Sequence, residues 1–157
     1  MITVSNVSLN FNGQNLFSHV DLKFTAGNCY GVIGANGAGK TTLLKKIAEE
    51  LLNRNDIKAE YMPQTYEDLL DLDVTPVDYL DKTGDKEERT RIRTYLGSLK
   101  YTPDEMEHPI RELSGGQKAK VLLLRMSLSG ANVLILDEPT AGLDPKGRDD
   151  ILYCLKN

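Results

Sequence analysis

Hydrophobic and polar residues alternate along the first part of the chain, as they do in strands that have one buried face. The alternation covers Ile2–Phe11, and the dipeptide Asn12–Gly13 that follows is a hairpin signal. Two further strand-like stretches lie around residues 16–24, and the short apolar run "CYGVI" at 29–33 predicts a buried strand. Apolar residues then recur with helical spacing over Lys40–Leu52. The pattern predicts antiparallel strands, followed by a strand, a loop and a helix.

The middle of the chain changes character after one more strand. "IKAEYM" at 57–62 predicts that strand, whereas residues 65–108 are acidic and polar with short helical stretches. Within them, Thr102 has the position of a helix cap and Pro103 that of a first helical residue. These features indicate a helical insertion in a core of strands and helices.

The last part returns to long apolar segments. A helix is predicted to follow "LSGGQ" and to end near Leu128, and Val133–Leu136 is an apolar strand that ends in two carboxylates. A final helix is capped by Asp144 and begins at Pro145. We therefore expect an α/β fold with a mainly parallel sheet, an N-terminal antiparallel β subdomain and a small inserted helical subdomain.

Length and segment character suggest the domain organisation. At 157 residues the chain is expected to form a single domain, over 1–157. Within it we distinguish a β and phosphate-loop part (1–64), the helical insertion (65–112) and a final part with a glycine-rich loop, a strand and a last helix (113–157).

Composition and charge narrow the class of protein. The net charge of −4 disfavours a surface that coats nucleic acid. Cys29 and Cys154 form no CxxC pair, which favours reduced thiols in the cytoplasm. No apolar run approaches the roughly 18 residues of a membrane span. We expect a cytoplasmic location and no direct membrane insertion.

The segment "GANGAGKT" at 34–41 fits the phosphate-binding pattern G-x-x-x-x-G-K-[ST] at every fixed position. It lies between a predicted strand and a predicted helix, which is the context that the motif requires. Glycines let backbone N–H groups turn toward phosphate oxygens, Lys40 would contact the β- and γ-phosphates, and the Thr41 hydroxyl would bind Mg²⁺. The expected phosphate contacts are Asn36, Gly37, Ala38, Gly39, Lys40, Thr41 and Thr42.

Two carboxylates follow the apolar strand of "VLILDE". Ligands bind at the carboxyl ends of strands in open parallel sheets, so these side chains suit the second half of a nucleotide site. Asp137 would hold Mg²⁺, and Glu138 would orient and polarise an attacking water. An acidic turn without such a role is the alternative, and it is weak beside a complete phosphate loop.

Five motifs occur in a fixed order: "GANGAGKT", "YMPQ", "LSGGQ", "LILDEPT" and "AGLD". Together they resemble the nucleotide-binding domain of ATP-binding cassette (ABC) proteins. The resemblance implies a P-loop NTPase core, ATP and Mg²⁺ as cofactors, and Mg²⁺-dependent ATP hydrolysis.

Further roles follow from the resemblance alone. Gln64 would sense Mg²⁺ and the attacking water, act beside Glu138 in catalysis, and couple the site to the helical region. Phe11 stands where an aromatic ring commonly stacks on adenine, but an ordinary core residue is an equal alternative. Asp144 would lie at the contact between two nucleotide sites.

In the family, "LSGGQ" contacts the ATP that is held by the phosphate loop of a second domain. Ser114 and Gly116 would reach that γ-phosphate, with Gly115 and Gln117 beside them. The resemblance therefore implies a head-to-tail homodimer or heterodimer with a second ABC domain, with ATP between the two.

Two main hypotheses concern the branch of the family to which the chain belongs. Most of the chain resembles the ABC-F group, whose members act on ribosomes in translation and antibiotic resistance. The segment "AGLDPKGRDDILYCLKN" instead resembles the motor subunit of a transporter, whose partners would be membrane subunits. A nucleotide-binding module with little hydrolysis, or a truncated chain, is a third reading.

The resemblance also implies a switch histidine on a strand after "AGLD". The histidines of this sequence, His19 and His108, precede "LSGGQ" and are expected to be ordinary surface or turn residues. We expect slow hydrolysis, and either direct pairing of the "CYGVI" and "NVLILD" strands or a segment of another chain between them.

Overall fold

The computed structural model consists of two compact units, Met1–Asp56 and Ile57–Asn157. It describes residues 1–11, 13–33 and 35–156, and their side chains apart from those of residues 11, 14, 16 and 156. The division between the units precedes the boundary that was predicted at residue 64. Both units belong to one mixed fold, with an antiparallel strand pair, a parallel strand pair and helices, as the sequence predicts.

The first unit begins with a hairpin. Strand β1 (Ile2–Phe11) pairs antiparallel with β2 (Gln14–Phe24), so the two predicted stretches around 16–24 are one continuous strand. The register shifts at several points, and Asn6 and His19 have φ of 56° and 52° in this irregular part. Gly13 has φ of 78°, a conformation suited to the predicted tight turn. Asn12 lies outside the described residues.

The predicted buried strand "CYGVI" is wrong. Residues 28–33 have no regular secondary structure, and Tyr30, Val32 and Ile33 are 46%, 41% and 97% exposed. A strand needs a hydrogen-bonded neighbour, and the described strands of this unit pair only with each other. Tyr30 instead packs edge-on against Phe24, at 5.0 Å between ring centroids. Of the two expected outcomes for this segment, direct pairing with "NVLILD" requires a strand that residues 28–33 do not form.

The helix predicted over Lys40–Leu52 is confirmed and is named α1. Ile47, Ala48 and Leu51 are its buried residues, on the face that the apolar spacing predicts. Gly39 precedes the helix with φ of 82°. The helix thus begins directly at the lysine of the phosphate motif.

The second unit is built on two parallel strands. Strand β3 (Ala59–Met62) lies beside β4 (Val133–Leu136), with Ala59 opposite Val133 and Met62 opposite Leu136. Both strands therefore end at the same edge of the sheet. The backbone N–H of Asp137 donates to the Met62 carbonyl at 2.9 Å, which extends the pairing to that edge.

Three helices precede the "LSGGQ" motif in the segment between these strands. They are α2 (Pro76–Leu80), α3 (Lys86–Ser98) and α4 (Pro103–Glu107), with 3-10 turns at Glu67–Leu69 and Ile110–Glu112. Thr75 and Thr102 each accept a hydrogen bond from the third residue of the helix that they precede. The predicted cap at Thr102 is confirmed.

Two further helices complete the second unit. Helix α5 (Gly115–Leu128) is capped by Ser114, and α6 (Pro145–Lys156) follows Asp144, whose carboxylate accepts from the Gly147 N–H at 2.8 Å. The core lies between these helices, helices α2 to α4 and β3. Its completely buried apolar side chains include Met62, Leu96, Ile110, Leu122 and Ile151.

Candidate functional site

The phosphate motif of the first unit is an exposed loop that leads into α1. Gly37 and Gly39 have φ of 81° and 82°, where side chains with a Cβ are strained. The Lys40 ammonium donates to the Ala35 carbonyl at 3.0 Å, so it is drawn back over the loop. Asn36 and Ala38 are exposed, and Thr41 and Thr42 are half-buried. Gly34 and the side chain of Phe11 lie outside the described residues.

The start of α1 suits a bound anion. No side chain caps the helix, because its N-cap is Gly39, and its first turn contains no acidic residue. The N-terminus of a helix carries partial positive charge and backbone N–H groups that its own turns do not use. Together with the Lys40 ammonium, this end of α1 fits the phosphates of a nucleotide.

Asp137 and Glu138 occupy the carboxyl end of β4 and differ in environment. Asp137 is 1% exposed, whereas Glu138 is exposed and has φ of 49°. Burial, followed by the charge of Asp137, raises the pKa of the Tyr61 hydroxyl on the neighbouring strand. Tyr61 therefore remains protonated beside a buried carboxylate.

The two predicted catalytic residues are brought together. The side-chain amide of Gln64 donates to Glu138 Oε2 at 3.2 Å. The contact follows from the parallel pairing, because Gln64 comes shortly after β3 and Glu138 shortly after β4. Both side chains are exposed, so a water molecule can reach the carboxylate.

The "LSGGQ" motif, residues 113–117, forms the start of α5. Ser114 Oγ accepts from the Gln117 N–H at 3.3 Å, and Gln117 Oε1 accepts from the Ser114 N–H at 2.9 Å. This is a capping box, and it leaves Ser114 and Gly115 exposed at the N-terminus of a long helix. Gln117, predicted as a nucleotide contact, uses its side chain within its own chain.

Other parts of the second unit hold this motif in place. The hydroxyl of Tyr66 donates to the Gly115 carbonyl at 3.0 Å, and Lys118 pairs with Glu67 at 3.0 Å. A Cβ at Gly116 would lie 3.1 Å from the Cα of Gly147, so the two backbones approach closely. The motif is thereby packed against the start of α6.

Asp144, predicted to lie between two nucleotide sites, is an exposed helix cap. Its Oδ1 is occupied by the Gly147 N–H. Since Gly147 touches Gly116, Asp144 and the "LSGGQ" motif belong to one packed region of the second unit.

Sequence reasoning missed Tyr61, Tyr66 and Glu105. Glu105 Oε1 accepts a hydrogen bond from the side-chain amide of Gln117 at 2.5 Å. A signal for it exists, because Thr102 and Glu105 have the same three-residue spacing as Ser114 and Gln117. The tyrosines carry no such local signal, since their contacts join distant segments.

The side chains suit Mg²⁺ only together with phosphate. No group of three or more His, Cys, Asp or Glu residues in the described part of the chain could hold a metal ion alone. Mg²⁺ is commonly bound by one or two protein oxygen ligands plus substrate phosphates and water. The predicted ligands Thr41, Gln64 and Asp137 are oxygen donors of this kind.

A glycine-rich loop before a helix and carboxylates after a parallel strand define a P-loop nucleotide-binding fold. The chain belongs to the ABC transporter family, whose model matches residues 17–141. It is 33% identical to protein GCN20 of Saccharomyces cerevisiae, covering 100% of the chain and 22% of the relative. It is 29% identical to ABC transporter F family member 5 of Arabidopsis thaliana, covering 92% of the chain and 22% of the relative.

The fold is also that of a solved ABC structure. The post-hydrolysis dimer of the ATP-binding cassette MJ0796, bound to ADP and Pi, matches with a TM-score of 0.71 and 20% identity. The match covers 97% of this chain and 79% of that one. The chain spans less than a quarter of the length of the two curated relatives. Among its described helices, none combines the length and apolar character needed to cross a membrane.

Proposed function

We propose that the chain is an ATP-binding, Mg²⁺-dependent ATP-hydrolysing domain that works as an ATP-bridged pair in the cytoplasm. The observation that carries the proposal is the start of α1, where an uncapped helix end, glycines of positive φ and Lys40 converge. This combination attracts phosphate through both backbone N–H groups and a full positive charge.

The catalytic half of the proposal rests on Gln64 and Glu138. The Glu138 carboxylate would accept a hydrogen bond from the attacking water and draw its proton away. The Gln64 amide, which donates to Glu138 at 3.2 Å, would keep that carboxylate oriented. Asp137 would hold Mg²⁺, which when bound offsets the negative charge of the phosphates.

The binding site is tested by Lys40→Ala. Loss of the ammonium should weaken Mg-ATP binding at least tenfold in isothermal titration, because a charge-assisted contact to phosphate is removed. Lys45→Ala, on an exposed face of the same helix, is the matched control and should bind as the parent does. An unchanged affinity of the Lys40 variant would contradict the site.

We further propose that pairing places Ser114 and Gly116 of one chain against the γ-phosphate held by Lys40 of the other. Ser114 is exposed at a helix N-terminus, which suits an anion brought by a partner. Glu138→Gln should slow hydrolysis and trap a pair in ATP, and Ser114→Arg should prevent pairing by its bulk. Sedimentation velocity with and without Mg-ATP measures this. A Glu138→Gln chain that stays monomeric at saturating ATP would argue against the composite site.

For the biological role we propose an ABC-F-like protein that acts on ribosomes in translation or antibiotic resistance. The likeness to protein GCN20 and to an F family member supports this reading. A transporter motor is the second candidate, favoured by the sequence from Ala141 onward. ATP-dependent co-sedimentation of the Glu138→Gln chain with ribosomes supports the first candidate. Retention by membrane subunits, without ribosome binding, supports the second.

The extent of hydrolysis is a separate part of the proposal. Phosphate release by the purified chain, compared with that of Glu138→Gln, distinguishes an ATPase from a nucleotide-binding module. Turnover near 1 s⁻¹ or faster is expected of a competent enzyme. Equal phosphate release by the parent and by Glu138→Gln would support a nucleotide-binding module with little hydrolysis.

A further inference from the structure

Two capping boxes in the second unit are joined by one hydrogen bond. In the first, Glu105 Oε2 accepts from the Thr102 N–H at 2.8 Å. In the second, Gln117 Oε1 accepts from the Ser114 N–H at 2.9 Å. The link runs from the Gln117 side-chain amide to Glu105 Oε1, at 2.5 Å. Helix α4 and the start of α5 are thus connected through a carboxylate and an amide.

This link selects one of two orientations of the Gln117 amide. A carboxylate only accepts hydrogen bonds, so Glu105 must face the NH₂ group of Gln117. The carbonyl oxygen of that amide then faces the Ser114 N–H, as observed. In the opposite orientation, two donors would meet at Ser114 and two acceptors at Glu105.

The orientation of the Gln117 side chain determines whether the Ser114 backbone N–H has an acceptor. The Ser114 backbone N–H donates to the side-chain oxygen of Gln117. The Ser114 Oγ accepts a hydrogen bond from the backbone N–H of Gln117. Ser114 is exposed, and its hydroxyl keeps a proton that can be donated to an anion. The hydroxyl of Tyr66 holds the next residue by donating to the Gly115 carbonyl at 3.0 Å.

We propose that Glu105 is a positioning residue for nucleotide recognition by the partner-facing Ser114. Its carboxylate orients the Gln117 side chain, and that side chain holds the Ser114 backbone N–H, so that Ser114 is positioned for the γ-phosphate that a second chain brings. The inference rests on the proposed ATP-bridged pairing. It assigns Glu105 no contact with the nucleotide.

The test uses Glu105→Gln in the Glu138→Gln background. An amide at position 105 presents both a donor and an acceptor, so it no longer selects the Gln117 orientation. We expect ATP-dependent pairing to weaken about tenfold in sedimentation velocity, while ATP affinity of the unpaired chain is unchanged. Asp104→Asn is the matched charge control, because it removes the same charge from the same helix at an exposed position.

Thr102→Ala is the stability control. It removes the hydroxyl that caps α4 but keeps the Glu105–Gln117 bond, so it should lower thermal stability without weakening pairing. Pairing of Glu105→Gln as tight as in the parent would overturn the inference. Equal weakening by Thr102→Ala would also overturn it, because the effect would then come from the stability of α4.

A second measurement separates this inference from the proposed pairing. Amide hydrogen exchange at Ser114 should be at least fivefold faster in Glu105→Gln than in Asp104→Asn, since the N–H loses its oriented acceptor. Unchanged exchange overturns the inference, whether or not the chain pairs. Failure of the Glu138→Gln parent to pair in ATP, with the expected exchange, would instead overturn the proposed pairing and the role of Glu105 in it.

Discussion

At the residue scale, Glu138 holds an unusual backbone conformation next to Gln64. Its φ of 49° lies in the left-handed region, and its carbonyl accepts from the Ala141 N–H at 2.8 Å in the turn after β4. A residue with a Cβ costs roughly 1–2 kcal/mol in that region. The turn directs the Glu138 carboxylate to the Gln64 amide, so strain and the proposed catalytic contact coincide.

We predict that Glu138→Gly is more stable than Glu138→Ala by about 0.5–1 kcal/mol. Glycine relieves the left-handed strain, and part of that gain is offset by about 0.5–1 kcal/mol of extra chain entropy on unfolding. Urea unfolding followed by circular dichroism compares the two variants, neither of which has the carboxylate. The usual order, with the alanine variant more stable, would show that the turn is not strained at this residue.

The acid response of the helical insertion depends on Arg89. Its guanidinium bonds Asp78 at 2.8 Å and Asp81 at 2.7 Å. Arg89, then Thr75, lowers the pKa of Asp78, and the Gly84 N–H, then Arg89, lowers the pKa of Asp81. In the folded state the pKa values of both carboxyls lie below the ordinary value of 3.8. The stabilisation from these ion pairs is therefore present above about pH 4. This stabilisation is lost as the pH falls through the folded-state pKa values of the two carboxyls.

We predict that Arg89→Gln lowers the melting temperature at pH 7 and reduces the further fall between pH 4 and pH 2. The change should be modest, since the side chains of Arg89 and Asp78 are 35% and 47% exposed. Arg91→Gln, on an exposed face of the same helix, controls for the loss of a positive charge. If the melting temperatures of the parent and of Arg89→Gln depend on pH in the same way, the ion pairs of Arg89 do not cause the acid response.

At the scale of elements, two glycines in helices meet different surroundings. A Cβ at Gly97 in α3 would lie 3.9 Å from the nearest atom outside its helix turn, Met106 Cε. A Cβ at Gly147 in α6 would lie 2.8 Å from the Asp144 Oδ1 that caps this helix, and 3.4 Å from Leu143 Cβ. An added Cβ therefore forces the Asp144 cap to move at Gly147 and leaves the surroundings of Gly97 in place.

We therefore predict opposite effects of the same substitution. Gly97→Ala should stabilise the chain by about 0.5–1 kcal/mol through helix propensity. Gly147→Ala should displace the Asp144 carboxylate, and the lost cap, worth about 1 kcal/mol, should cancel or exceed that gain. Urea unfolding measures both. Equal stabilisation by the two substitutions would show that the start of α6 adapts without loss of its cap.

At the scale of the whole molecule, the two units have cores of very different size. In the described part of the first unit, the buried apolar residues are Ile47, Ala48 and Leu51 of α1. The second unit buries a continuous cluster that includes Met62, Leu122 and many side chains between them. Local opening is easier where little apolar surface is buried.

We predict that backbone amides of β1 and β2 exchange at least tenfold faster than those in the middle of α5. Hydrogen exchange followed by mass spectrometry measures the difference. Leu122→Ala should lower the free energy of unfolding by about 2–5 kcal/mol. It should also bring the amide exchange rates of α5 toward those of the hairpin. Equal protection of hairpin and helix in the parent would mean that the units unfold only together.

The sequence by itself determined the elements that depend on local chemistry. The helix over Lys40–Leu52 follows from apolar spacing, and the caps at Thr102 and Asp144 follow from side chains that satisfy nearby N–H groups. Ordered motifs also identified the family, because each motif is a short run of consecutive residues. Such features need no knowledge of what lies across the molecule.

The tertiary structure alone decided which distant groups meet. "CYGVI" has the composition of a buried strand, but its burial depends on a hydrogen-bonded neighbour that composition does not reveal. Parallel pairing of β3 and β4 brought Gln64 to Glu138, and the fold of the helical segment brought Glu105 to Gln117. Local propensity acts over a few residues along the chain, whereas these contacts depend on burial and hydrogen bonding between segments that only the folded chain brings within reach.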